Sequence, residues 1–240
     1  MMKIKENNQK MTKNNITLKE NERLDDLLFN DMHIIQNKER YCFTSDAVLL
    51  ANFAKAKKSD SALDLCSGSG IVGILFYAKN LCKEQMLVEI QPEFCDMASR
   101  SVALNNLQDK IKVVNSSVQD LPKLMQGKTF DVITCNPPYK TTQNHKISEK
   151  EHIAMCKYEL TLTLDELIKS VSKLLKFGGK FFFVHETNRL SEIILILKKY
   201  NMEAKRIELC FPQNKQTSNV VLIEAVLGAK SGVVVTKTTN

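Results

Sequence analysis

The sequence predicts an α/β fold in which a doubly wound, mostly parallel sheet of seven strands carries helices on both faces. Strand-like apolar segments alternate with helical segments five times between residues 47 and 200. Two more strand-like segments then follow each other with no helix between them. The alternation is typical of a parallel sheet, and the final pair predicts an antiparallel strand at its C-terminal end.

The individual elements follow from short apolar runs for strands and from apolar residues at helical spacing for helices. The predicted strands are Ala62–Leu65, Met86–Ile90, Ile111–Val114, Phe130–Thr134, Lys180–Val184, Glu203–Phe211 and Asn219–Leu227. The predicted helices are Ala47–Lys58, Ile71–Leu81, Pro92–Asn106, Leu164–Phe177 and Arg189–Tyr200.

Residues with known end preferences mark the helix boundaries. Thr44–Asp46 offers N-caps for the first helix, and Pro92 suits the first turn of the third. Thr163 and Glu166 form a capping box, and Gly178–Gly179 is expected to close the helix that the box opens.

The chain of 240 residues has a length that is normal for one α/β domain. Residues 1–23 are basic, polar and aperiodic, which predicts a disordered N-terminal arm. Residues 24–235 form the predicted domain. Within it, Leu24–Phe29 and His33–Gln36 are expected to form a short irregular or hairpin lead-in.

Positive charge is concentrated at the two ends of the chain. The net charge is +7; residues 1–23 contribute +3 and residues 198–240 contribute +4, so the middle is neutral. Basic ends around a neutral body suggest a polyanionic partner such as RNA. A general bias of the sequence toward Lys, Asn and Ile would give the same pattern.

The composition also bears on location and on metal binding. No apolar run reaches the roughly 18–20 residues of a membrane span, and the first residues lack the apolar region of a secretory signal. We therefore expect a cytoplasmic protein with no membrane association. The seven cysteines have no C-x-x-C spacing, so we expect reduced thiols and no metal site.

A glycine-rich loop, Asp64–Gly70, lies between the first strand and its helix. Gly68 and Gly70 would let the backbone turn tightly and approach a ligand closely. Glycines at strand ends are common in α/β proteins, so the loop alone is a weak signal. Glu89 strengthens it, because it ends the second strand 19 residues after Gly70 and can accept both hydroxyls of a ribose.

The details of the loop favour S-adenosylmethionine (SAM) over other nucleotide-bearing cofactors. It has neither the full G-x-G-x-x-G pattern of dinucleotide sites nor the G-K-[ST] ending of a P-loop. The helix start at Thr44–Asp46 could hold the methionine carboxylate through backbone N–H groups, or it could be a plain helix cap.

The tetrapeptide Asn136-Pro137-Pro138-Tyr139 follows the fourth strand and so emerges at the same edge of the sheet. Beside the glycine loop, a functional site fits this position better than a plain Pro-Pro turn does. The Asn136 side-chain oxygen and the Pro137 carbonyl can accept the two N–H groups of a planar amine, which points its lone pair at a sulfonium methyl. Tyr139 can stack on a base. These four residues predict methyl transfer to an amino nitrogen.

Taken together, the segments resemble class I SAM-dependent methyltransferases that carry an NPPY motif. The order of FTSDAVLLANFA, LDLCSGSGIVGI, VEIQPEFCDMASRSVALNNL and ITCNPPY is similar, more narrowly, to the tRNA (adenine-N6)-methyltransferases that modify position 37 of a valine tRNA. The resemblance covers residues 24–235. It implies a Rossmann-like fold, SAM as cofactor, tRNA as partner and N6-methylation of adenosine.

Three positions depart from the family pattern. Cys66 occupies the first glycine position of D-x-G-x-G, which requires an ordinary backbone angle there. The acidic residue that the family places against the cofactor adenine aligns with Ser117, and Asp120 lies three residues later. The segment around Arg189 lacks a proline and a second arginine, which would weaken an RNA contact.

Other acceptors stay open on the sequence alone. Glutamine N5-methyltransferases of release factors share NPPY but carry a helical domain, which the roughly 40 residues ahead of this core do not predict. An rRNA adenine or guanine is another candidate, whereas a DNA adenine methyltransferase would need a longer recognition insertion. An inactive RNA-binding module is disfavoured by the intact Asn136–Tyr139 and Glu89.

Six basic residues are candidate contacts to RNA phosphates. Lys140 and Lys146 lie in a polar loop after the tetrapeptide, which could fold over a bound nucleotide or stay solvated. Arg189 precedes the last helix. The other three flank the terminal strand pair: Lys205, Arg206 and Lys215. Phosphate contacts would make binding strongly dependent on salt.

Overall fold

A mostly parallel sheet of eight strands organises the fold. The computed structural model describes residues 16–40, 42–139 and 161–239. A separate antiparallel hairpin, β1 (Glu22–Asp26) and β2 (His33–Asn37), precedes the sheet. The strands of the sheet are β3 (Ser61–Leu65), β4 (Glu84–Glu89), β5 (Ile111–Asn115), β6 (Phe130–Cys135), β7 (Leu175–Glu186), β8 (Met202–Phe211), β9 (Val220–Leu227) and β10 (Val234–Thr239).

The strand order is β10-β8-β9-β7-β6-β3-β4-β5. Strands β5, β4, β3, β6 and β7 pair in parallel, and β9 runs antiparallel between β7 and β8. The carboxyl ends of β3, β4, β6, β7 and β8 therefore meet at one edge. The predicted parallel sheet with an antiparallel C-terminal strand is confirmed.

The predicted count of seven strands is one too low, because β10 adds to the edge of the sheet in parallel with β8. All of its residues except Lys237 are β-branched, but they are mostly exposed and show no alternation between apolar and polar positions. The pairing of β10 comes from tertiary structure.

All five predicted helices are present, and a short one is added. They are α1 (Ser45–Phe53), α2 (Ile71–Asn80), α3 (Pro92–Leu104), α4 (Leu121–Leu124), α5 (Leu164–Leu174) and α6 (Leu190–Lys199). The predicted capping box is formed, with Glu166 N–H donating to Thr163 Oγ1 at 3.3 Å and Thr163 N–H donating to Glu166 Oε2 at 2.9 Å. Within the described part of the chain, no helix is long and apolar enough to span a bilayer.

Two predicted helix ends are wrong. Helix α5 ends at Leu174 rather than at Gly178–Gly179, because Leu175 already has extended backbone and begins β7. The glycine pair instead lies where the pairing of β6 and β7 is irregular. Helix α1 ends at Phe53, because Ala54 is extended (φ −69°, ψ 142°).

The core has one apolar layer on each face of the sheet, which confirms helices on both sides. Helices α5 and α6 pack on one face, and α1 and α2 pack on the other. Residues 71–78 of α2 are all buried, as its apolar sequence predicts. All five residues of β3 are buried too, as expected of a central parallel strand.

The N-terminal hairpin packs on α3 and extends the folded body toward the N-terminus. Ile16 and Leu18 already contact the small cluster around Phe94. Arg100 of α3 bridges Glu22, at 2.5 Å, and Asp96. The packed chain therefore begins before the predicted boundary at residue 24, while residues 1–15 of the predicted arm lie outside the described residues.

Candidate active site

A cleft of about 870 Å³, including its open mouth, lies at the carboxyl ends of β3, β4 and β6. Ligands of open parallel sheets bind at this edge, outside the carboxyl ends of the strands. Apolar and polar side chains in similar numbers line it: Phe43, Cys66, Ser67, Gly68, Ser69, Ile71, Val72, Val88, Glu89, Ile90, Gln91, Phe94, Ser116, Val118, Gln119, Asn136, Pro138, Thr161 and Leu162.

The two glycines of the loop have different roles. A Cβ at Gly68 would meet nothing within 4 Å, so its backbone leaves open space beside the cleft. A Cβ at Gly70 would approach Ile74 and Leu87 to 3.3 Å, and its φ is +95°. Gly68 thus allows a ligand to approach, whereas Gly70 allows the loop to pack on α2.

Cys66 has a φ of +54°, so the ordinary backbone angle that would let cysteine replace the family's glycine without strain is not present. A non-glycine residue in the left-handed region costs roughly 1–2 kcal/mol, because its Cβ crowds the following carbonyl. The loop therefore needs a left-handed residue where this chain has cysteine. Cys66 lines the cleft, and its contact to the cofactor stays a prediction.

Asp64, the first residue of the glycine-rich loop, holds the loop in place through hydrogen bonds. It is not among the described residues that line the cleft. Its carboxylate accepts from Thr134 Oγ1 at 2.6 Å and from the backbone N–H of Gly73 at 3.1 Å. It thereby joins β3, β6 and the first turn of α2. Burial raises the pKa of Asp64 to about 7.

Glu89 lies at the end of β4 and is 6% exposed. Its Oε2 accepts from the backbone N–H of Gly68 and its Oε1 from that of Gln91, both at 2.9 Å. Burial raises the pKa of Glu89, while these backbone donors oppose that rise. The two bonds fix the carboxylate beside Gly68, and each oxygen keeps further acceptor capacity for a ligand hydroxyl.

Neither Ser117 nor Asp120, the two candidates for the contact to the cofactor adenine, is among the described lining residues. Ser117 Oγ donates to Asp120 Oδ2 at 2.7 Å, which engages the two side chains with each other. Ser116, Val118 and Gln119 line the cleft instead.

The predicted catalytic tetrapeptide begins at the cleft. Asn136 and Pro138 line it. Pro137, which stands between them in the chain, is buried. Tyr139 Oη donates to Asp46 Oδ2 at 2.7 Å, which joins the tetrapeptide to α1. Asp46 and Thr44, both predicted to contact the cofactor, do not belong to the described lining, and within the described residues the Thr44 side chain makes no capping hydrogen bond.

The basic candidates for RNA contacts are dispersed. Arg189 pairs with Glu192 at 2.7 Å and donates to the carbonyl of Tyr139 at 3.5 Å. Arg206 lies 3.7 Å from the Phe53 ring centroid and pairs with Glu224, so internal contacts engage its guanidinium.

The remaining candidates divide by position. Lys205 lies in β8, away from the cleft edge, and its Nζ donates to the Lys230 carbonyl. Lys215 is exposed in the β8–β9 loop, at the carboxyl edge of β8. Lys140 and Lys146 lie outside the described residues.

Sequence reasoning missed Gln36 and Phe43. Gln36 is 1% exposed, donates to Ser69 Oγ and accepts from the Phe43 backbone N–H at 3.2 Å. Its polar side chain beside the buried Ile34 and Ile35 is the signal that could have revealed it.

The family model described as the methyltransferase small domain matches residues 43–205, a range that contains every lining residue named above. The chain belongs to the methyltransferase small domain family.

Curated relatives include proteins named tRNA1(Val) (adenine(37)-N6)-methyltransferase, which confirms the narrower resemblance. The relative from Aliivibrio salmonicida is 23% identical over 181 residues, covering 75% of this chain and 75% of its own length. The relative from Bacteroides thetaiotaomicron is 28% identical over 163 residues, covering 68% of this chain and 67% of its own length.

Solved structures of methyltransferases have the same fold. A predicted O-methyltransferase from Agrobacterium tumefaciens superposes with a TM-score of 0.63 at 19% identity, covering 81% of this chain and 86% of its own. The tRNA m1G37 methyltransferase of Methanocaldococcus jannaschii gives 0.62 at 13% identity, covering 90% and 60%. The predicted Rossmann-like class I methyltransferase fold is confirmed.

Proposed function

We propose that this methyltransferase transfers a methyl group from SAM to the exocyclic N6 of an adenosine in tRNA, at position 37 of the anticodon loop. The observation that carries the proposal is the position of Asn136 and Pro138 in the same cleft as Gly68 and Glu89. The names of the curated relatives support the choice of acceptor. Such a substrate would place the protein in the cytoplasm.

The cleft has the features that SAM needs. Glu89, fixed by Gly68 and Gln91, can accept from ribose hydroxyls, and the open backbone at Gly68 leaves room for the ligand. Ile90 and Val118 offer apolar contacts to an adenine ring. When bound, SAM supplies an electrophilic methyl group on its sulfonium sulfur.

The tetrapeptide fits a planar amine as acceptor. The Asn136 side-chain oxygen and the Pro137 carbonyl would accept the two N–H groups, and Tyr139 would stack on the base. The nitrogen lone pair would form the new N–C bond while the C–S bond breaks and S-adenosylhomocysteine leaves as a neutral thioether, so positive charge would develop on nitrogen. Both carbonyl dipoles stabilise that charge, and the nitrogen then releases one proton to solvent.

A methyl-transfer assay with defined RNA tests the proposal. The purified chain is incubated with methyl-labelled SAM and with valine tRNA transcripts carrying adenosine or guanosine at position 37, and nucleosides are identified by mass spectrometry. We expect N6-methyladenosine in the first transcript alone. Methylation of both transcripts would move the site elsewhere in RNA, and methylglutamine in a release factor without RNA methylation would replace this function with protein methylation.

A further inference from the structure

Three elements hold Tyr139 at three different points. Its hydroxyl donates to Asp46 in the first turn of α1, at 2.7 Å. Its ring lies 5.6 Å from the ring of His185 at the end of β7, with the ring planes at 47°. Its carbonyl accepts from Arg189 Nη1 at 3.5 Å. Contacts at the hydroxyl, the ring and the carbonyl together restrict both the side-chain rotamer and the backbone of Tyr139.

The partners of Tyr139 are themselves fixed. His185 is 1% exposed, and its Nδ1 accepts from the backbone N–H of Glu186 at 2.8 Å, which leaves the proton on Nε2. Burial, reinforced by the positive charge of Arg189, lowers the pKa of His185 to about 4, so this ring is neutral at pH 7. The guanidinium of Arg189 is oriented by two bonds to Glu192, at 2.7 and 2.8 Å.

The position of Asp46 argues against a direct role in holding the cofactor. Its carboxylate does not belong to the described cleft lining, whereas its near neighbour Phe43 does. One Asp46 oxygen accepts a hydrogen bond from the Tyr139 hydroxyl, and the other accepts from Ser45 Oγ at 3.4 Å. With its hydroxyl engaged, Tyr139 offers a ring face rather than a polar group to an acceptor.

We propose that Asp46 is a positioning residue for the acceptor base: it acts through the hydroxyl of Tyr139, setting the ring plane against which the base stacks, with His185 and Arg189 completing the support. This role rests on the proposed function. Asp46 would then serve recognition of the acceptor and not binding of the cofactor, although the sequence segment Thr44–Asp46 suggested a cofactor contact.

A double-mutant cycle on methyl transfer tests this role. We expect Asp46→Ala and Tyr139→Phe each to lower kcat/KM for tRNA about tenfold, the effect of losing one hydrogen bond to a charged group. The double variant should also fall about tenfold, because both changes remove the same interaction. Losses that multiply to about a hundredfold, or single variants with wild-type activity, would overturn the role.

Two further measurements separate positioning from folding and from cofactor binding. Asp46→Asn keeps an acceptor oxygen for the hydroxyl, so we expect it to restore kcat/KM to within about threefold of wild type, which general misfolding would not allow. Titration calorimetry should give Asp46→Ala the wild-type dissociation constant for SAM. If the dissociation constant for SAM rose as much in Asp46→Ala as in Glu89→Ala, Asp46 would instead be a cofactor-binding residue.

The wild-type chain distinguishes failure of this inference from failure of the proposed function. If the wild-type chain transfers no methyl group to tRNA, both the proposed function and the role of Asp46 are disproved. If wild type is active and the effects of the two substitutions multiply, the proposed function stands and the positioning role alone is overturned.

Discussion

The side-chain amide of Gln36 donates to the hydroxyl of Ser69, which joins the N-terminal hairpin to the glycine-rich loop. The same side chain accepts from the backbone N–H of Phe43 at 3.2 Å. Ser69 and Phe43 both line the cleft, and Gln36 is buried beside them. The hairpin precedes the range of the family match, residues 43–205, yet it helps to shape the cleft.

Replacing Gln36 with Ala should weaken SAM binding, because the loop and Phe43 lose their shared partner. Leaving buried polar groups unpaired costs about 1–3 kcal/mol, so we expect the dissociation constant to rise by at least about threefold. Titration calorimetry measures it. Gln108→Ala, at an exposed glutamine, is the matched control and should bind as wild type. Equal affinities for the two variants would contradict a supporting role of Gln36.

Replacing Glu89 with Ala should weaken SAM binding about tenfold or more, on the order of 1.4 kcal/mol. The variant loses the acceptor for the ribose hydroxyls and also the bond that fixes Gly68. Glu89→Gln keeps one acceptor oxygen and should lie between wild type and Glu89→Ala. An unchanged dissociation constant in the alanine variant would reject the ribose assignment.

Replacing Asn136 with Ala should abolish methyl transfer while SAM still binds. Removal of one stabilising dipole from a developing charge typically costs about 100-fold or more in rate. Single-turnover transfer measures the rate, and calorimetry checks the cofactor. Asn52→Ala, at an exposed position of α1, should keep full activity. Transfer at the wild-type rate by Asn136→Ala would disprove the mechanism.

Replacing Cys66 with Gly should stabilise the fold by about 0.5–1 kcal/mol. Glycine relieves the left-handed strain at a φ of +54°, while its greater freedom in the unfolded chain offsets part of that gain. Urea unfolding gives the difference. Cys66→Ala removes the thiol but keeps the Cβ, so it should show no such gain. If both variants shift equally, the thiol rather than the backbone angle is responsible.

His185 should make stability depend on pH below neutrality. Its folded pKa of about 4 lies below the ordinary value of 6.5, so between these values the unfolded chain binds a proton that the folded chain refuses. Stability is therefore complete above pH 6.5 and falls as the pH drops toward 4, by at most about 3 kcal/mol.

The comparison of wild type with His185→Phe isolates this effect. The variant keeps a ring beside Tyr139 and lacks the titrating group, so the difference in unfolding free energy should change between pH 6.5 and 4. Asp64, whose raised pKa gives the opposite slope, contributes equally to both proteins. A constant difference over this window would show that His185 does not titrate as described.

Much of the fold could be predicted because its signals are local. The buried run of α2, the capping box of Thr163 and Glu166, and Pro92 at the start of α3 are properties of adjacent residues, and the structure confirms each of them. The ends of α1 and α5 were misjudged, because helix propensity continues past the residue at which pairing or packing turns the chain into extended backbone.

The candidate site divides in the same way. Gly68, Glu89 and Asn136 could be found from their spacing, since parallel strands bring their carboxyl ends to one edge. The position of Ser117 could not be found in this way, because loop residues do not follow a fixed period; its side chain pairs with Asp120, and neither residue is among the described lining.

The sequence by itself determined the order of strands and helices along the chain, the candidate site at the carboxyl edge and the resemblance to SAM-dependent methyltransferases, because each rests on short motifs that can be recognised one by one along the chain. Only the tertiary structure decided that Gln36 supports Ser69 and that Asp46 takes the hydroxyl of Tyr139, 93 residues away. Hydrogen bonds between distant segments exist only after the sheet has brought those segments together, so no local pattern can encode them.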